Sequence, residues 1–104
     1  MASPYNPPKK NEDFKIRVAL EDTANSGSFK LNPTLAAGDV KGVTDAGVYT
    51  DLGTLPVADG SGKAGVLVTL SATEMNNDVV FVQFIDQTVP KEWADYAFSI
   101  PTTA

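Results

Sequence analysis

Phe14-Lys15-Ile16-Arg17-Val18-Ala19-Leu20 alternates apolar side chains with charged or small ones. That two-residue period belongs to a β-strand burying one face, with Phe14, Ile16, Val18 and Leu20 pointing inward. Before it stands Pro4-Tyr5-Asn6-Pro7-Pro8-Lys9-Lys10-Asn11, which has no apolar periodicity with which to join a core. The chain therefore reads as an extended N-terminal arm over residues 1–12 and a β domain over residues 13–104.

At 104 residues there is room for one core and not for two. Apolar residues make up 42% of the chain, near the globular norm and well above disordered compositions. Beyond the first ten residues, which hold Lys9 and Lys10, 6 basic residues face 13 acidic ones, so a weakly basic arm precedes an acidic body. An acidic body repels phosphate backbones, and nucleic acid is not an expected partner.

The chain contains no Cys, which excludes disulfides, thiolate metal sites and cysteine nucleophiles together. It has no stretch of transmembrane length and no secretory leader pattern, so synthesis in a host cytosol, with export only inside a larger assembly such as a virion, is expected.

Along the body, Glu21 to Ser28 is dense in residues that bond their own backbone and reads as a turn or loop. Phe29-Lys30-Leu31 reads as a short strand stopped before Pro33, with Leu35 closing the corner. Asp39–Val43 and Val48–Thr50 flank Thr44-Asp45-Ala46-Gly47 as a hairpin in which Gly47 takes a positive φ. Asp51 to Pro56 leaves the sheet, Ala58 to Lys63 is a flexible loop, and Ala64–Leu70 is a strand.

Ser71-Ala72-Thr73-Glu74 has the spacing of a capping box, and so little helix-forming sequence follows that one helical turn between two strands is expected. Val79–Ile85 is apolar on both faces, which requires a central position or a face covered by a partner. In the last strand, Trp93–Ile100, the residues Ala94, Tyr96, Phe98 and Ile100 are expected to face the core. Trp93 then points outward, either as an interface anchor or as cover for the sandwich edge. Six or seven short strands without a long helix indicate an all-β, immunoglobulin-like antiparallel β-sandwich, with a small barrel as the second choice.

Chemistry is sparsely provided for. There is no His, the commonest general base. The carboxylate pairs Glu12-Asp13 and Glu21-Asp22 lie in loop-like sequence where solvent keeps them ordinary acids. Gly60-Ser61-Gly62-Lys63 lacks the first glycine of a phosphate-binding loop and has Ala64 where the magnesium-binding hydroxyl belongs. Asp22 to Gly27 lacks the alternate ligand spacing of a calcium loop. No enzyme activity, metal or cofactor is expected.

The arm carries more. Its prolines restrict the free chain, so less entropy is lost when it lies along a neighbour, and Tyr5 offers an aromatic anchor. A disordered tail is the plain alternative; binding through the arm is preferred. Candidate interaction residues are Tyr5, Pro7, Pro8, Lys9 and Lys10 on the arm and Val79, Phe81, Ile85 and Trp93 on the body.

The arm Pro4 to Lys10, the strand Phe14 to Leu20, the segment Phe29 to Lys41 and the stretch Leu70 to Asn76 together resemble small structural proteins of tailed bacteriophages and prophages. The region Asp86 to Tyr96 is similar to theirs as well. Those proteins commonly carry an Asp-Gly-Gly turn where this chain has Thr44-Asp45-Ala46-Gly47, a departure in a turn and not in the strand pattern. The resemblance implies a virion component with a β-sandwich body and no catalytic residues. A chain that stops at Ala104, just after its last strand, is expected to be a capsid decoration or cement protein bound to the major capsid protein or other virion proteins, possessing no fibre stalk. A tail, neck or baseplate adaptor that anchors a fibre is the alternative. A carbohydrate-binding sandwich for a host surface glycan is a third reading; Trp93 and Tyr96, three apart, fall on opposite faces of one strand, so a flat stacking platform needs another aromatic such as Tyr49. Homo-oligomer and monomer are both compatible with the sequence.

Overall fold

The computed structural model describes residues 7–103. In chain order it contains β1 (Phe14–Ala19), β2 (Val40–Val43), β3 (Tyr49–Asp51), β4 (Val57–Ala58), β5 (Gly65–Leu70), β6 (Val79–Phe84) and β7 (Tyr96–Pro101). They form two antiparallel sheets, β1-β5-β4 and β3-β2-β6-β7. The core lies between them: Phe14, Val66, Val68 and Leu70 from the smaller sheet meet Val40, Val80, Val82, Phe84 and Ile100 from the larger one. The molecule is a β-sandwich.

The alternation in the first strand is realised in its pairing with β5, where Phe14 stands opposite Leu70, Ile16 opposite Val68 and Val18 opposite Val66. Directly opposed residues share a face, so these pairs point to the core while Lys15 and Arg17 point away. β6 is central, between β2 and β7, and its even-numbered residues Val80, Val82 and Phe84 enter the core.

Turn chemistry makes the connections. Gly47, at φ 82°, closes a three-residue hairpin between β2 and β3 in which Thr44 N–H donates to the Val48 carbonyl. The Ser71 and Glu74 side chains cap each other's backbone: Ser71 N–H donates to Glu74 Oε1 at 2.8 Å, and Glu74 N–H donates to Ser71 Oγ at 3.2 Å. One helical turn follows, with Met75 N–H donating to the Ser71 carbonyl and the Met75 side chain fully buried.

Three expectations change. The strand expected over Phe29–Leu31 reduces to a single bridge between Phe29 and Glu21. The loop expected over Ala58–Lys63 starts one residue later, because Ala58 belongs to β4, and it turns into β5 with Gly60 and Gly62 at positive φ. The last strand begins at Tyr96 and not at Trp93, and runs through Pro101.

Pro101 fits inside a strand because of the ladder's alternation. Thr102 N–H donates to the Asp78 carbonyl on the β6 side, and Thr103 N–H donates to the Pro8 carbonyl on the opposite side. Even-numbered residues of β7 thus bond to β6, and odd-numbered ones face the sheet's edge, where a missing N–H breaks no ladder bond.

The part of the arm that is described lies on the domain. Lys9 bridges Thr103 in parallel, Lys10 N–H donates to the Thr103 carbonyl, and Asn11 N–H donates to the Met75 carbonyl. The remaining residues of the expected arm, Tyr5 among them, lie outside the described residues.

Candidate interaction surface

The register of the larger sheet assembles a surface from three strands. Phe81 stands opposite Val43 on one side and Ser99 on the other, and Val43 stands opposite Tyr49. The row Tyr49, Val43, Phe81, Ser99 therefore crosses the outer face. Beside it lie Val79 and its opposite number Pro101. The next row is polar over Asp51, Lys41 and Gln83 and ends at Ala97, with Lys41 Nζ donating to Asp51 Oδ1 at 2.9 Å.

One half of the face is thus apolar and the other carries an ion pair. Val43 is itself buried, at 8% exposed, although it is not part of the core cluster. Around it Tyr49 is 52% and Val79 43% exposed, with Phe81 half-buried. Exposed apolar side chains such as Tyr49 and Val79, flanking a partly buried apolar row and rimmed by polar residues, fit the anatomy of a protein contact.

The rim is rigid. Asp45, in the hairpin turn, accepts from Asp78 N–H at 2.7 Å and Val79 N–H at 3.1 Å. These two backbone donors hold its carboxyl below the ordinary 3.8. Val79 is therefore fixed at its own amide by the neighbouring hairpin.

Of the expected interaction residues, Val79 and Phe81 come together on this face. Ile85 follows β6 and is half-buried, with its N–H donated to the Asp39 carbonyl, and it lines a shallow groove with Gln83, Asp95, Tyr96 and Ala97. Pro7 is exposed, Pro8 and Lys9 are half-buried, and Lys10 Nζ bonds Asp78 Oδ1 at 3.0 Å. Lys9 and Lys10 are engaged with their own domain.

Trp93 requires correction. It is fully buried, packs edge-on against Phe84 at 6.1 Å between ring centroids, and donates Nε1–H to the Thr34 carbonyl. It is a core residue and offers no anchor to a partner. The aromatic platform of the glycan reading loses Trp93 for the same reason, and Tyr96, opposite Phe84, is on the other side of the sheet from Tyr49.

The acidic pairs do structural work in turns. Asp13 Oδ1 accepts from Ala72 N–H, Glu21 Oε2 from Gly27 N–H, and Asp22 Oδ1 from Ala24 N–H. Two carboxylates that the sequence reading did not single out are buried. Asp39 accepts from Ala36 and Gln87 N–H, and Asp86 accepts from Thr88 and Glu92 N–H, closing the base of the β6–β7 loop.

Burial pushes the Asp86 carboxyl up, but the N–H donors of Glu92 and Thr88, with the Thr88 hydroxyl and Trp93 N–H, outweigh it and hold the group below its ordinary value.

No protein-family model, curated protein or solved structure matches the chain.

Tyr49 and Val43 were not expected in this row because their part in it has no local signature. Tyr49 and Val43 become neighbours of Phe81 only through strand pairing, and the one available clue was the parity of the hairpin.

Proposed function

We propose that this chain is a non-enzymatic structural protein of a tailed-phage virion, a capsid decoration protein that adheres through the apolar half of its larger sheet. The observation that carries the adhesive part is the row Tyr49, Val43, Phe81 with Val79 beside it on the outer face of the larger sheet, where Tyr49 and Val79 are exposed. The virion assignment rests on the sequence resemblance. Burial of apolar surface stabilises by about 25 cal/mol per Å², so a few such side chains give weak binding per copy, which the symmetry of a shell multiplies.

The fold within this proposal is immunoglobulin-like. Naming β1 to β7 as B, C, C′, D, E, F and G turns the observed sheets into B-E-D and C′-C-F-G, the strand neighbours of that sandwich. The parallel bridge between Lys9 and Thr103 lies alongside G.

The test is cosedimentation of purified protein with capsids assembled from the major capsid protein of the same phage. Wild type is expected to saturate the shells, and Val79→Asp or Tyr49→Ala to reduce occupancy at unchanged thermal stability. Equal binding by all three would remove the outer face from the account, and no binding by any would remove the shell as the partner. A tail adaptor remains the second reading, since the same surface serves it at a far lower number of copies.

A further inference from the structure

Asp59-Gly60 is the one place in the chain where an Asp or Asn directly precedes a Gly. Glycine has no side chain to shield its nitrogen, which leaves the amide after this carboxyl more open to reaction than any other residue would. The fold keeps it open. Gly60 begins the turn between β4 and β5 at φ 129°, and nothing lies within 4 Å of where a Cβ would stand. No acceptor among the described residues takes its N–H.

The carboxyl itself is restrained. Arg17, on β1, donates from Nε to Asp59 Oδ2 at 3.0 Å and Oδ1 at 3.3 Å, and from Nη2 to Oδ1 at 3.2 Å. To reach that fork the Asp59 side chain crosses over Gly65 of β5, where a Cβ would collide with the carboxylate. Asp59 N–H also donates to the Gly65 carbonyl at 2.9 Å, so backbone and side chain are both tied to the small sheet.

We infer that Asp59-Gly60 is a latent isoaspartate site that the Arg17 fork holds dormant. In the reaction the Gly60 nitrogen bonds to Asp59 Cγ. One carboxyl oxygen, protonated by solvent, leaves with the amide proton as water, and a five-membered imide remains. Water then reopens the ring. Attack at Cγ restores aspartate, and attack at the main-chain carbonyl leaves the chain running through Cβ and Cγ. Nothing is oxidised or reduced. Both oxygens lie in the Arg17 fork, so the one that departs has to leave the guanidinium first.

The product loosens the small sheet. An isoaspartyl link adds a methylene to the backbone and moves the carboxylate onto Cα, one carbon short of its former reach toward Arg17. β4 is only two residues long and frays from β5 once the Asp59 bond to Gly65 is displaced. Solvent reaches the pair, with the Arg17 and Asp59 side chains 56% and 26% exposed, so the restraint is modest. The inference does not depend on the outer face of the larger sheet or on the virion assignment.

Ageing the whole chain at neutral pH tests it. Isoaspartate is located at residue 59 by tryptic mapping with electron-transfer fragmentation, and thermal melts verify folding. Arg17→Gln should accumulate it about threefold faster than folded wild type, with Arg17→Lys in between. In concentrated urea, where the fork is gone, wild type and Arg17→Gln should react at one common rate, faster than folded wild type. Equal rates for the folded wild type and Arg17→Gln, a folded wild type as fast as the unfolded chain, or no isoaspartate at residue 59 even in urea would each overturn the proposal.

Discussion

The indole Nε1–H of Trp93 donates to the carbonyl of Thr34 at 3.1 Å, joining the approach to β7 to the long connection between β1 and β2. Glu92, next in sequence, accepts from Thr34 N–H at 2.9 Å, so both backbone groups of Thr34 are held by adjacent side chains. Trp93 is fully buried, and truncation leaves a large cavity and an orphaned carbonyl. Trp93→Ala should cost about 3–5 kcal/mol, measured by urea unfolding. Trp93→Phe, which refills part of the volume, should cost distinctly less. Near-neutral behaviour of the alanine variant would contradict the core assignment.

The capping box predicts a smaller, local loss. Glu74 accepts from Ser71 N–H through Oε1 and from Gly53 N–H through Oε2, tying the helical turn to the segment after β3. Ser71→Ala should cost about 1 kcal/mol. Glu74→Ala, which leaves two donors unpaired, should cost more than Ser71→Ala. Chemical denaturation of the pair ranks them, and the reverse order would mean that the Glu74 bonds do not contribute.

Acid stability follows from Asp86 and Asp45. Both carboxyls lie below the ordinary 3.8 in the folded state, so each favours folding only when ionised. That contribution is complete above the unfolded-state value and disappears as pH falls through the lower folded-state values. The unfolding midpoint should be nearly constant from neutrality to about pH 5 and then decline as pH drops below about 4. Asp86→Asn should lower stability at neutral pH and flatten the acid limb. An unchanged acid limb would show that the Thr88 and Glu92 bonds do not hold the ionised form.

The outer face separates binding from stability. Tyr49→Ala and Val79→Asp remove exposed surface outside the core cluster, and their thermal midpoints should remain close to wild type. Val82→Ala, on the inner face of the same strand as Val79, should lower the midpoint markedly. A comparable loss at all three positions would place the outer face under the sandwich's own packing.

Much of this fold was legible. The alternation from Phe14, the Gly47 hairpin and the Ser71–Glu74 box are signals set by backbone geometry within a few residues, and each appears in the structure. Trp93 was misplaced because parity was counted back from Ile100 through a strand that in fact starts at Tyr96; once the chain leaves the ladder, alternation no longer decides direction. β4 escaped because two residues are too few to show a period. The surface was half legible. Val79 and Phe81 could be found because they are the odd side of an apolar strand, whereas Tyr49 and Val43 join them through pairing across three strands, which no single stretch of sequence displays.

The number of copies of this chain in each purified virion, determined by quantitative mass spectrometry against the major capsid protein, tests the central claim most directly. A decoration protein should be present in hundreds of copies, in fixed proportion to the shell subunit. A dozen or fewer would move it to the neck, tail or fibre, and its absence from virions would contradict the account.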